Sequence, residues 1–545
     1  MLSTVDIAIV LVYAVGLFTL AQWVSREPAG QQKNAQDYFL AGKALPWWAI
    51  GASLIAANIS AEQIIGMSGS GYAIGLAIAS YEWMAAFTLL LVGKFLLPIF
   101  LKTGIYTMPQ FLAQRYDNRV KTVMAVFWLG VYTLVNLTSI LWLGALAMTT
   151  VAGVDLTTGL VALGVFAIAY SLYGGLRAVA LTDIIQVILL VLGGLMISWI
   201  LLDRIGDGAG VIAGFMALTD QAPDKFHMIL PEGHPHYMSL PGLSVLIGGM
   251  WVMNISYWGF NQYIIQRALA AKSVDEAQKG IAFAAFLKLL MPVIVVLPGI
   301  AMFVLSPDLS APDKAYPSAM TMLPVGIKGL VFAALLAAIV SSLASMCNSI
   351  STIFTVDVAP ALGIESDGGV RAVTTGRIVA MVAMAIAMVA AKPLLGNFEQ
   401  AFQYIQEFTG FFTPGIVAIF MLGLFWSRTT ATAALIAAIA SAALSLAFKL
   451  FWPELPFMDR VGLVFLLCMA IGVAWSLARP SAQDGFVDPA GVSFSTRSSF
   501  NISAVLVTLI LCSSTPSGGD RRSQQFEESA PLPMFHWRDD VLGGL

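Results

Sequence analysis

Charge is what this sequence has least of. Of its 545 residues only 11% are Asp, Glu, Lys or Arg, against about 25% in a soluble domain. Hydrophobic residues make up 58% of the chain, and the mean hydropathy is +0.83. So little charge cannot dress a water-exposed surface, so a polytopic protein of the lipid bilayer is expected. A net charge of −3 leaves no basic excess for a nucleic-acid partner. Cysteine is scarce too. Cys347, Cys468 and Cys512 lie far apart, two of them in apolar runs, which argues against a disulfide framework and for small buried side chains. The four histidines, His227, His234, His236 and His536, fall outside the apolar runs, and His234-Pro-His236 reads as polar loop rather than metal site. No HExxH, P-loop or GxSxG pattern is present. No enzyme is therefore expected.

What is there is apolar length. A spanning helix needs about 20 apolar residues. Fourteen runs qualify or nearly do: 5–24, 45–66, 72–101, 121–149, 157–173, 180–202, 240–262, 280–305, 326–356, 371–392, 400–426, 430–450, 460–478 and 500–512. The first has neither a basic leader nor a small-residue cleavage site and reads as a retained helix. The last is short for a crossing. With the N-terminus outside, the inner loops collect most of the Lys and Arg, among them Arg26, Lys43, Lys102, Arg115, Arg119, Lys121 and Arg267. The outer loops keep few, such as Arg204, Lys225 and Lys314. Shifting the start by one helix inverts that balance, so charge and segmentation support each other. A plasma (inner) membrane location is expected. The tripeptide Asn58-Ile59-Ser60 in the second run returns as Asn254-Ile255-Ser256 in the seventh. An odd offset of five helices turns the second block upside down, as in the inverted repeats of secondary transporters.

Polar groups inside these runs need a reason, because an ionisable residue there costs about 2.5–3.5 kcal/mol on insertion scales. Glu82, Asp183, Lys288 and Glu407 are the strongest cases. Lys94 lies near a helix end and can snorkel. Asp183 is either structural or near an inner ion exit. Glu82 and Lys288 lie deep in their helices and could simply offset each other as an ion pair. The amides that accompany them, Gln63, Asn254 and Gln406, favour a polar-solute site, since sugar hydroxyls both donate and accept. Tyr257, Tyr81 and Phe402 could stack on or cap a sugar ring, although each taken singly reads as packing. In "AAIVSSLASMCNS" the adjacent Ser341 and Ser342 either allow close helix packing or supply hydroxyls to sodium. In the second case "AANIS" would be the partner, through carbonyls freed by a helix break.

Four stretches carry a family resemblance: Tyr38–Met84, Tyr170–Val179, Tyr257–Ser273 and Ala337–Ser349. They resemble the sodium/solute symporter family, over about residues 5–510. The resemblance implies an all-α fold of about 14 transmembrane helices, with a five-plus-five inverted-repeat core of the leucine-transporter type. It assigns Gln63, Glu82, Asn254, Lys288 and Gln406 to sugar binding. Tyr257 becomes an inner gate held by Asn58, and Met67, Tyr81 and Phe402 an outer apolar lid. The carbonyls of Ala56, Ile59 and Ala338 and the hydroxyls of Ser341 and Ser342 become the site of the co-transported sodium ion. Ala85 stands where the family's sugar site has a serine. That removes one contact worth about 0.5–1.5 kcal/mol.

The expected organisation is an extra helix within 1–30, a first repeat over 45–202 and its inverted partner over 240–426. Accessory helices follow over 430–512, then a polar, disordered-looking tail over 513–545. The family continues apolar where the tail begins, which points to a reading-frame change or an altered terminus. The expected function is sodium-driven uptake of a hexose, galactose or glucose, by alternating access. The alternative is the same machine carrying inositol, an amino acid or a carboxylate. A sensor would need a signalling domain, and a channel would not need a discrete mixed-polarity site. Glu62 has no role in this reading.

Overall fold

The computed structural model describes residues 2–24, 45–105, 107–364, 370–396, 400–481, 485–486, 488 and 491–514, with the side chains of 21–22, 172–183, 370 and 513–514 excepted. The described residues form no strand, only helices and one isolated bridge between Leu45 and Ala271. In chain order the helices are α1 (Thr4–Val24), α2 (Trp47–Asn58), α3 (Glu62–Ala73), α4 (Leu76–Thr103), α5 (Met108–Arg115), α6 (Asn118–Ala152) and α7 (Leu156–Ile205). Then come α8 (Val211–Gln221), α9 (Gly249–Ile255), α10 (Gln262–Leu269), α11 (Val274–Leu305), α12 (Ala315–Thr321) and α13 (Ile327–Leu362). Last are α14 (Val370–Leu395), α15 (Ala401–Gly410), α16 (Thr413–Phe425), α17 (Ala431–Phe451), α18 (Phe457–Ala478) and α19 (Ser498–Ser514).

Burial orders these helices from centre to edge. The most apolar window of α13 is 89% buried by protein, against 33% in α17 and 28% in α18. α13 is thus the central post, and the later helices face lipid. α1 lies against it, and the Asp6 carboxylate accepts the Gly326 and Gly329 N–H groups at 2.7 and 3.0 Å. That satisfies donors which the start of α13 would otherwise leave unpaired. It also brings the starts of the first and ninth apolar runs to one end of the molecule, as their odd parity requires.

Three interruptions shape the interior. The run 45–66 is one stretch in the sequence, but the chain bends 59° between α2 and α3. Ile59 sits at φ −73°, ψ 67°, outside the helical region. The Ser60 N–H turns to the Asn58 carbonyl at 2.7 Å, and the Ser60 hydroxyl accepts the Glu62 N–H at 3.2 Å. Local side-chain bonding of this kind competes with the helix ladder. The second Asn-Ile-Ser behaves differently. Ser256 stays helical, and the chain becomes extended only at Asn261, with φ −83° and ψ 120°. The run 400–426, read as one helix, is two: α15 and α16 meet at 47°. Pro414 opens α16, where its missing N–H does no harm, whereas in mid-helix it would break the ladder.

The runs 157–173 and 180–202 join into the single helical stretch α7. A straight helix of that length would span about 75 Å, more than twice the ~30 Å hydrocarbon core. The packing shows that it reverses. Leu163 and Ile339 both crowd Gly144, while Val331 abuts Gly193. Residues 163 and 193 would be about 45 Å apart on a straight rod, yet 331 and 339 are only about 12 Å apart along α13. The apolar halves on either side of 172–183, Leu156–Ser171 and Ile184–Ile205, therefore pack on the same part of α13. The tight link from α3 to α4 needs Gly75, at φ 98°, because a side chain there would meet the Lys225 carbonyl. The last run is longer than expected. α19 covers 17 residues, about 26 Å. The expected polar tail beyond it lies outside the described residues.

Candidate functional site

The breaks open onto one cavity of about 110 Å³. Its wall includes Asn58, Gln63, Tyr81, Glu82, Ala85, Asn254, Tyr257, Lys288, Phe402 and Gln406. Residues up to 348 positions apart in sequence thus share a wall. Glu82 comes from the start of α4, Lys288 from α11, and Asn58 and Gln63 from the two sides of the α2–α3 break.

Glu82 and Lys288 form an ion pair of 2.5 Å, with side chains 2% and 1% exposed. The Lys288 ammonium also donates to Asn58 Oδ1 and lies 5.1 Å from the centre of the Trp258 ring. Gln63 Nε2 donates to Glu82 Oε1 at 2.9 Å and approaches Asn58 Oδ1 at 3.4 Å. Asn58 Nδ2 donates to the Tyr257 hydroxyl at 3.0 Å, and that hydroxyl contacts the Tyr263 hydroxyl at 2.5 Å. Asn58 therefore joins the charged pair to the Tyr257 ring. Tyr81 and Phe402, also in the wall, meet edge to face, ring centres 5.2 Å apart, a favoured aromatic arrangement. Two polar atoms are left over: Gln63 Oε1 and the Tyr81 hydroxyl are buried without a hydrogen-bond partner. Buried polar atoms without partners are uncommon, and here both belong to cavity-lining residues.

The other expected residues divide. Asn254 lines the cavity, but its Nδ2 turns back to the Met250 carbonyl at 3.1 Å. Met67 is buried in α3 and is not part of the wall. Asp183 lies on α7 where side chains are outside the described residues. Glu407 is away from the cavity, paired with Lys449 at 2.6 Å and Arg460 at 3.4 Å.

Ala56, Ile59, Ala338, Ser341 and Ser342 lie on α2, its break, and α13. Ser342 Oγ is buried with no hydrogen-bond partner. The buried Arg267 guanidinium fixes the two helices relative to each other. Its Nε donates to Ser53 Oγ and its second amino group to Ser345 Oγ, both at 2.8 Å, and it also bonds the Tyr263 carbonyl. Ser53 lies three residues before Ala56, and Ser345 one turn after Ser341–Ser342.

Several residues of the wall, and Ser139 and Tyr263 behind it, did not stand out in the sequence. Tyr132 donates to Asn261 Oδ1 at 2.6 Å and accepts the Gln262 N–H at 3.0 Å, which holds the extended residue between α9 and α10. Ser139 donates to Glu62 at 2.5 Å and to the Asn136 carbonyl at 2.9 Å. Glu62 thus points away from Gln63 and ties α3 to α6. The signal for Tyr132, Asn136 and Ser139 was their polarity at helical spacing on one face of α6. Trp258 and Tyr263 flank a sequence-visible residue, Tyr257, but nothing local distinguishes them from packing aromatics.

An all-helical membrane chain whose broken helices converge on a mixed-polarity cavity is a secondary transporter. The sequence model of the Sodium:solute symporter family matches residues 38–441, and the chain belongs to that family. It is 52% identical to the "Sodium/glucose cotransporter" of Vibrio parahaemolyticus over 94% of this chain and 97% of that one. It is 31% identical to the "Sodium/myo-inositol cotransporter 2" of Mus musculus, over 78% and 67%. Among solved structures, a Na+-coupled sialic acid symporter in a substrate-bound outward-open state matches with a TM-score of 0.76 at 25% identity. That match covers 88% of this chain and 99% of the other. A closed nucleobase-cation symporter bound to bromovinylhydantoin matches with a TM-score of 0.52 at 14% identity, over 84% and 98%, a likeness of fold alone.

Proposed function

We propose that this symporter carries a hexose, glucose or galactose, into the cell with sodium. The observation that carries this reading is the pair of unsatisfied polar atoms, Gln63 Oε1 and the Tyr81 hydroxyl, on two residues that line the cavity together with the Glu82–Lys288 pair. An acceptor, a donor and a neutralised ion pair suit a ring of uncharged hydroxyls. A carboxylate solute would meet Glu82. In this reading Gln63, Glu82, Asn254, Lys288 and Gln406 bind the sugar, Tyr257 closes it from the inside and Tyr81 with Phe402 from the outside. Met67 acts only as support behind that lid, and Asp183 remains the candidate inner exit.

Sodium is cargo. The Ala56, Ile59 and Ala338 carbonyls and the Ser341 and Ser342 hydroxyls would hold it between α2 and α13, and the unpartnered Ser342 Oγ supports that set. A sodium ion there steadies the α2–α3 break, and with it Asn58 and Gln63. Its departure loosens Asn58, frees Tyr257 and lets the sugar leave. Coupling is then a difference in affinity between two states, with no bond chemistry. The chain sits in the plasma (inner) membrane with its N-terminus outside. Residues 45–202 form one repeat and 240–426 its inverted partner, the latter spanning the second interruption at Asn261.

The test is uptake of labelled glucose, labelled galactose and labelled inositol, each assayed separately in proteoliposomes under an inward sodium or potassium gradient. Sodium-dependent sugar accumulation, lost or shifted to higher sodium in Ser342→Ala, is expected. Inositol uptake without hexose uptake would reassign the solute; sodium-indifferent uptake would remove the ion site.

A further inference from the structure

Asp313 belongs to none of the groups above. It lies in the Pro312–Lys314 turn between α11 and α12, and it is 3% exposed. Its Oδ2 accepts the backbone N–H of Ala401, the first residue of α15, at 2.8 Å. Its Oδ1 is buried without a hydrogen-bond partner. The carboxylate presses on Gly69 of α3 so closely that a side chain at 69 would strike it. Beside it Ser70 donates to the side chain of Gln400 at 3.2 Å. One carboxyl group therefore stands where α3, the 312–314 turn and the start of α15 meet. α15 carries Phe402 and Gln406.

Charged partners are missing from this junction among the described residues. Lys314 reaches Ser310 instead. Glu62 is bonded to Ser139, Tyr72 to the carbonyls of Ser306 and Pro307, and Glu407 to Lys449 and Arg460. The Tyr316 hydroxyl is buried and unpartnered, and Tyr404 lies further along α15. Among the described residues no cation pairs with the Asp313 carboxylate.

We propose that Asp313 is the latch of the outer gate: by holding the first turn of α15 against α3 it positions Phe402 over the cavity, and it must shed water to engage. This rests on the gating and orientation read above. Burial, outweighing the Ala401 bond, pushes the Asp313 carboxyl up to about 7. In an open, hydrated junction it would sit near the ordinary carboxylate value of about 4. The closed arrangement then binds a proton more tightly than the open one. Closure is most favoured below about pH 4 and loses that advantage as pH rises through 7.

The experiment reads gate opening directly, without sugar. Ser70→Cys in a Cys512→Ser background is labelled with a membrane-impermeant maleimide in sodium-loaded proteoliposomes at pH 5 to 8. Rates are taken relative to the denatured protein at each pH. Asp313→Ala and Ala401→Pro should each label at least fivefold faster than the parent at pH 6. Proline removes the N–H donor, is favoured at a first helical position, and follows Gln400, which is already extended at φ −134° and ψ 102°. Asp313→Asn keeps an acceptor and should label near the parental rate at low pH, but with a flat pH profile. Parental labelling rates in both disrupting variants, or an unchanged pH profile in Asp313→Asn, would overturn the latch. Because transport is not the readout, a wrong sugar assignment leaves this result standing.

Discussion

Lys288 is the residue on which most of the cavity's electrostatics converge. It is bound to a carboxylate, an amide oxygen and an aromatic face at once. Removing one member of a buried ion pair strands the other, typically at about 3–5 kcal/mol. Lys288→Ala should therefore lower thermal stability and abolish uptake, while Glu82→Gln with Lys288→Met recovers stability but not transport. Thermal shift and uptake on the same preparations check this. Tyr257→Phe is gentler. It removes the Asn58 bond and the Tyr263 contact, worth about 0.6–1.7 kcal/mol in a membrane interior, and leaves the ring. The expected outcome is a three- to tenfold faster release of preloaded sugar with little loss of folding, measured by efflux.

At the scale of elements, the broken helix brings Asn58 and Gln63 to the cavity, and its break is made by backbone bonds that Ser60 redirects. The Ser60 hydroxyl caps the Glu62 N–H as an N-cap serine would, a role worth about 0.5–2 kcal/mol. Ser60→Ala should thus loosen the start of α3 and raise the sodium concentration needed for half-maximal uptake several-fold, with Ser60→Thr close to wild type. An unchanged sodium dependence in Ser60→Ala would mean that the break is held by its neighbours alone. The reversal within α7 has the opposite character: its local backbone bonding reads as one long helix, and only the packing of both halves on α13 reveals the hairpin.

For the whole molecule, α13 is the post against which the moving parts are referenced, and Asp6 fixes α1 to its start. Asp6→Ala should cost about 0.5–2 kcal/mol as a lost cap, seen as a lower unfolding temperature in detergent with sodium and sugar affinity unchanged. The Lys449–Glu407 pair, with side chains 42% and 30% exposed, holds peripheral helices and should be nearly silent in transport when neutralised.

Much of this was written in the residues. Low charge and apolar run length settle a helical membrane bundle, because lipid tolerates no unsatisfied backbone. Glu82, Lys288, Gln63 and Asn58 announced themselves as polar groups too expensive to face lipid, and they do share one cavity. Glu407 announced itself equally and is a peripheral ion pair, since burial in a run says nothing about which way a side chain faces. Asp313 and Ser139 were invisible because their meaning lies in partners 88 and 77 residues away. The chain by itself determined what must be buried and marked the helix break at Asn58–Ser60, but not the one between α15 and α16. Only the tertiary structure decided which buried groups meet, because pairing depends on the rotation and crossing of helices that the local pattern leaves free.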